Sequence, residues 1–280
     1  MIITVPTNYY KQFDADFTLD VPGEGFGGWH KANLELNTER TALVVLHAWD
    51  AGTHHQFPGW HRAVEYFPRA DEICSNVLPG LLNACRNNGI AVLHVIEPVG
   101  SYYQSYPGHQ RAVELVGTES PPLEQIEKDV TLLNLEKFKR EEAFPGKHNL
   151  EDIERGFGRL DIPMAVKPIG NEGVAATSEQ LFALCKEKGI NHLIYTGFAL
   201  NACIFQNPGG MIDMRRRGIF CSVVSQAVTA VENKETASRQ LAKELSLWQT
   251  SLFFGLVYDA DDLVHALQNK RARSLDRMMR

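Results

Sequence analysis

Apolar residues in this chain gather in six short runs, separated by stretches in which they recur at helical spacing. TALVVLH (41–47) and IAVLHVI (90–96) are almost continuously apolar, the pattern of strands buried on both faces of a parallel sheet. PMAVK (163–167), LIYT (193–196), IFCSVV (219–224) and SLFFGLV (251–257) complete six predicted strands. Helical patterns fall between them: about 63–87, closed by Asn88-Gly89; 177–189 with a Gly stop; the segment from Cys203 to Gly218; 234–247; and 260–270. Strands alternating with helices require right-handed crossovers. The predicted fold is therefore α/β, a Rossmann-like three-layer sandwich with a six-stranded parallel sheet and helices on both faces. Residues 1–40, with mixed aromatics, acids and the loop GEGFGG, read as an N-terminal extension wrapped over the domain or over a neighbouring subunit. Residues 41–270 read as one domain, with 97–160 as a variable insertion over the mouth of the sheet and 271–280 as a basic, solvated tail.

A parallel sheet gives its strand ends a meaning, because ligands of open α/β sheets bind beyond the carboxyl edge. His47 closes the first strand, Lys167 closes PMAVK, and Cys203 follows LIYTG by six residues. A cysteine in a strand-to-helix turn lies near the first backbone N–H groups of the helix, whose positive partial charge favours a thiolate. Each residue alone has a plain explanation: a satisfied core histidine, a surface charge, a small buried hydrophobe. Their coincidence at one edge points to chemistry.

Composition narrows the class. The chain has 280 residues, 44% hydrophobic and 22% charged, in the ordinary range for a globular protein. Its net charge of −6 supplies no basic field for nucleic acid. No apolar run approaches the roughly 18 residues of a membrane span, and the first residues lack a signal-peptide layout. The five cysteines (Cys74, Cys85, Cys185, Cys203, Cys221) are odd in number and contain no CxxC pair. That argues against a disulfide framework or structural zinc and for a reducing, cytoplasmic setting.

The segments VKPIGNEGVAATSEQL, HLIYTGFALNACIFQN, DMRRRG and FCSVVSQAVTA, in this order, resemble the isochorismatase-like cysteine hydrolase superfamily, which includes nicotinamidases and N-carbamoylsarcosine amidase. The resemblance runs over roughly residues 41 to 267. It implies a cysteine–lysine–aspartate triad on a six-stranded parallel sheet, with Cys203 at the nucleophile and Lys167 at the lysine. It also implies a non-proline cis peptide before the nucleophile, at Ala199–Leu200, whose turn aims the N–H groups of an oxyanion hole. Two departures stand out. The family's aspartate follows the first strand directly, and His47 occupies that position here, with Trp49 and Asp50 just beyond. The helix after the cysteine meets Asn207-Pro208-Gly209-Gly210, which breaks it at its second turn.

In the family scheme the aspartate takes the thiol proton, the thiolate attacks a small amide, carbamoyl or related C–N substrate, and water releases the thioester. A neutral imidazole also accepts a thiol proton. Yet His47 and Lys167 leave a positive charge unbalanced, so the reading expects a deprotonated lysine or a carboxylate partner from Asp50, Glu97 or Glu172. No cofactor is implied. No metal is expected either, since Val99 stands where metal-binding relatives need a histidine. The expected partners are a small-molecule substrate and further copies of the chain in a dimer or tetramer. The alternative is a scaffold that has lost hydrolysis with its aspartate and serves as a small-molecule-binding or assembly protein.

Overall fold

The computed structural model describes residues 1–117 and 124–278. The part of the expected insertion at 118–123 and the last two residues of the expected tail lie outside them. Eight strands form one sheet: β1 (Ile2–Lys11), β2 (Gly28–Asn37), β3 (Thr41–Leu46), β4 (Ala91–Val95), β5 (Gly173–Ala175), β6 (His192–Gly197), β7 (Phe220–Val228) and β8 (Val257–Tyr258). Their order is β2-β1-β8-β7-β6-β3-β4-β5. The six from β3 to β8 pair in parallel throughout. Among the described residues ten helices accompany them: α1 (Pro58–Ala63), α2 (Phe67–Glu72), α3 (Leu78–Asn87), α4 (Pro107–Val116), α5 (Val130–Phe138), α6 (Leu150–Phe157), α7 (Ser178–Lys188), α8 (Met211–Arg216), α9 (Leu241–Phe253) and α10 (Ala260–Met278).

The sheet is thus eight-stranded rather than six-stranded. The addition is a β1–β2 ribbon, antiparallel from Ile2↔Asn37 to Lys11↔Gly28 and joined to β8 at Thr7↔Tyr258 and Asn8↔Val257. Its period-2 signal (Ala32, Leu34, Leu36) is diluted by polar and aromatic residues, because only part of one face reaches the core through Ile3, Val5 and Leu36. PMAVK is not a strand. Pro163 and Pro168 bracket it, neither can donate to a ladder, and Met164–Val166 forms a single 3₁₀ turn. The strand is Gly173–Ala175 instead. SLFFGLV divides between the end of α9 and β8, because Leu247 and Thr250 continue a buried helical face up to Phe253. The pattern read as one helix over 63–87 is interrupted by a wide turn at Ile73–Val77, where Pro79 cannot donate to the ladder of the preceding turn.

β3 is buried along its whole length. Leu43 and Val45 face a core formed with α2, α3 and α10, and Ala42, Val44 and Leu46 face the one formed with α4, α7, α8 and α9. Each Leu and Val among them contributes roughly 1.5–3 kcal/mol, enough to fix the register of the central strands. Strand order reverses between β3, which continues to β4, and β6, which continues to β7 on the other side. Leu46 is paired with Gly197 across that reversal, so the residues that follow each leave the sheet side by side.

Candidate active site at the strand-order reversal

Gly197 carries φ +109°, and a side chain there would collide with the Leu46 carbonyl, so glycine lets β6 end hard against β3. Phe198 N–H donates to that carbonyl at 3.0 Å. The peptide bond between Phe198 and Ala199 is cis. The turn has the kind of bond expected, but one residue earlier than Ala199–Leu200. Ala199 O then accepts from Ile204 N at 3.0 Å, a wide turn over Leu200–Ile204 that carries Cys203. Gly210 ends the irregular stretch after it and α8 begins only at Met211, so the NPGG segment does break the helix.

Cys203 is partly exposed, whereas the other four cysteines are buried. Burial pushes its thiol up to about 11. The backbone of Ala199 and of Cys203 itself opposes this, and the negative charge of Glu97 adds to it. Tyr66, buried on α2's leading edge, also senses Cys203.

His47 follows β3 in the left-handed region, φ +51°, with its N–H bonded to Val95 O at 2.9 Å. Its side chain is buried and stacks on Trp49, ring centroids 5.2 Å apart at 23°. Burial pushes its pKa down to about 4, against a backbone contact at Ile96, so the ring is neutral at pH 7. Nε2 lies 3.7 Å from Glu97 Oε2, while His47 Nδ1 and Trp49 Nε1 are buried without partners. Both residues line a small pocket with His94, Ile96, Tyr102 and Ile162. Cys203 is not in that wall, and Glu97 is the residue that interacts with both sides.

Lys167 stands apart from this group. It sits in the loop after the 3₁₀ turn, and its Nζ donates to Asp161 Oδ2 at 2.7 Å. That bond is the main reason its pKa is raised. Among the described residues, no hydrogen bond or ion pair joins it to Cys203 or His47. The carboxylate that balances it is Asp161, not Asp50, Glu97 or Glu172. Asp50 caps Gly52 N–H and lies 3.4 Å from Arg159, while also sensing Lys167 from a distance. Glu172 is held by Arg86, at 2.7 and 2.9 Å, and by His94 Nε2 at 3.2 Å. Sequence reasoning missed Asp161, Tyr66 and Tyr102. The one hint at Asp161 is an acid set between buried Leu160 and Ile162.

The structure therefore sets Cys203, His47 and Glu97 beyond the ends of β6, β3 and β4, three neighbouring strands, and leaves Lys167 in the loop after the 3₁₀ turn. That edge of the sheet carries a thiol, a carboxylate and an imidazole. Among the described residues, no cluster of three or more His, Cys, Asp or Glu side chains is arranged to hold a metal ion.

No protein-family model matches the chain, and no curated protein does. Solved structures do. A cysteine hydrolase from Pseudomonas syringae pv. phaseolicola superposes with a TM-score of 0.50 at 13% identity, covering 84% of this chain and 95% of that one. An isochorismatase-like hydrolase from Alkaliphilus metalliredigens gives 0.46 at 15% identity, with 82% and 99% covered. N-carbamoylsarcosine amidase from Thermoplasma acidophilum gives 0.42 at 13%, with 79% and 97% covered. With its parallel sheet and its strand-order reversal, this chain shares the fold of that Pseudomonas cysteine hydrolase.

Proposed function

We propose that the protein is a cysteine hydrolase that opens a small amide, carbamoyl or related C–N bond through a thioester on Cys203. The observation that carries this is the singularity of Cys203: it alone among five thiols is accessible, in a turn whose backbone at Ala199 and Cys203 bears on its sulfur. Those N–H groups are placed to take up charge on sulfur and on a substrate oxygen. A small pocket lies at the neighbouring strand ends. His47 and Trp49 shape that pocket. Lys167 acts from its rim, holding Asp161 and with it the loop that brings Ile162 to the wall.

Cys203→Ala should abolish ammonia release from a panel of small amides and ureas, a loss on the order of 10³-fold or more. Iodoacetamide should label Cys203 in the wild type before the four buried thiols. Undiminished turnover in the variant would sink the reading. The second reading, a binding or assembly protein, draws on the protonated state of the thiol and on the histidine at the aspartate position. It predicts no turnover in the wild type across the same panel.

The same reading places the chain in the cytoplasm as a dimer or tetramer. Helix α5 buries none of its residues and presents Val130, Leu133, Leu135 and Phe138 to solvent, apolar surface of the kind that subunits cover. Light scattering at micromolar concentration should give a multiple of the 31.4 kDa chain mass, and a monomer would refute it.

A further inference from the structure

Four carboxylates surround the mouth of the sheet, and three are engaged. Asp161 takes Lys167, Asp50 takes Gly52 N–H and Arg159, and Glu172 takes Arg86 and His94. Glu97 is different. It stands two residues beyond β4, next to the end of β3, with its side chain 28% exposed. Its backbone carbonyl accepts from Tyr102 Oη at 3.0 Å, yet its carboxylate makes no hydrogen bond among the described residues. Its nearest basic neighbour is His47, 3.7 Å away and neutral.

Resting on the hydrolase reading, we propose that Glu97 is the proton acceptor of the site, taking from the end of the second parallel strand the task that a residue at the end of the first would otherwise perform. Three adjacent strand ends bring it there: Glu97 after β4, His47 after β3 and the Cys203 turn after β6. Its charge acts on the Cys203 thiol, and its partial exposure leaves a path for protons to and from water. Burial holds its carboxyl above the usual range, which makes it a better base than a solvated glutamate. His47 is the weaker base of the two, because burial lowers its pKa to about 4 while burial raises that of Glu97.

The steps balance. The Cys203 S–H proton passes to a Glu97 Oε, directly or through one water, as sulfur's electron pair bonds to the substrate carbonyl carbon. The carbonyl pair moves onto oxygen. When it returns, the C–N bond breaks and the proton on Glu97 goes to the leaving nitrogen. A water then gives its proton to Glu97 as its oxygen bonds to the thioester carbon. The C–S bond breaks and the proton returns to sulfur.

The test uses p-nitrophenyl acetate, an acylating probe that requires no knowledge of the substrate. Wild type should show a burst of p-nitrophenolate followed by turnover. Glu97→Gln should burst but deacylate about 10²-fold more slowly, with Glu97→Asp recovering part of the rate. Iodoacetamide labelling of Cys203 should move the opposite way. Its pH midpoint, governed by Glu97 and Tyr66 on the thiol and by His47 and Tyr102 around Glu97, should fall in Glu97→Gln, because a negative charge is removed. A merely structural role would not accelerate labelling while slowing deacylation. Glu97→Gln that deacylates like wild type, or His47→Asn that takes the 10²-fold loss instead, overturns the proposal while leaving the hydrolase reading intact. A wild type without a burst, or a burst that survives Cys203→Ala, overturns both.

Discussion

His47, just beyond β3, and His94, on the neighbouring β4, face the same pocket and are both buried. Burial lowers the pKa of each, and each has a glutamate within reach. There the likeness ends. His94 Nε2 is 3.2 Å from Glu172, whose Oε2 also accepts from Arg86 at 2.9 Å and from Ile169 N–H at 3.0 Å. His47 is 3.7 Å from Glu97, beyond hydrogen-bond distance, and its Nδ1 has no partner. The first group is closed: every charge has its counterpart, and the result is a brace between α3, β4 and the loop before β5. The second is open, with polar atoms and a carboxylate left for something else to satisfy. A buried unpaired nitrogen costs about 1–3 kcal/mol, so the open group lowers stability where the closed one raises it. Two sites built from the same residue types thus divide into structure and function by how completely they are paired.

The largest effect expected from breaking this contrast is Glu172→Ala. It strands Arg86 and His94 together and should cost about 3 kcal/mol, the low end for a broken buried pair because the carboxylate keeps some exposure. A urea melt at pH 7 measures it; a loss below about 1 kcal/mol would show that the brace is not one. The acid limb should respond as well. Burial alone would raise the Glu172 carboxyl, but bonds from His94, Arg86 and Ile169 prevail and hold it at about 2, below the ordinary 4.5. Its stabilisation is therefore full above about pH 4.5 and lost as pH falls toward 2, and the variant should lack that slope.

Next in size is the pH dependence set by His47. Its folded pKa of about 4 lies below the ordinary 6.5, so the folded state resists a proton that the unfolded chain accepts. Stability is full above about pH 6.5 and declines as pH falls toward 4, by about 2 kcal/mol at pH 5. His47→Asn removes this titration with a residue that tolerates φ > 0, and should flatten that window in thermal melts. His192, also lowered to about 4, keeps part of the slope. An unchanged slope would mean that His47 is not held neutral.

The smallest effect belongs to the Lys167–Asp161 pair, which is partly solvated. Lys167→Met should cost less than about 1 kcal/mol. It should also leave the alkylation midpoint of Cys203 where it was, whereas a shift upward would place the lysine beside the thiol.

The central architecture was legible because β3, β4 and β6 are buried on both faces, which leaves continuous apolar runs in the sequence. The ribbon was not, because one wet face breaks the run. PMAVK misled because its apolar residues say nothing of the two prolines that deny it a ladder. In the site, the strand-end argument singled out Cys203, His47 and Lys167, and the strand it gave Lys167 is a 3₁₀ turn. The pairing of Lys167 with Asp161 depends on how a six-residue loop folds back on itself, and no periodicity encodes that.

The ribbon and β8 are separated by about 250 residues, yet Asn8 bonds to Asp259 and Thr7 pairs with Tyr258. The ribbon therefore cannot dock on the sheet until β8, far along the chain, is in place. β8 is only two residues long, and without the ribbon its outer rim would be bare N–H and C=O groups, a template for another chain. A chain shortened at either end would carry that rim open, and the expected consequence is precipitation rather than loss of the pocket.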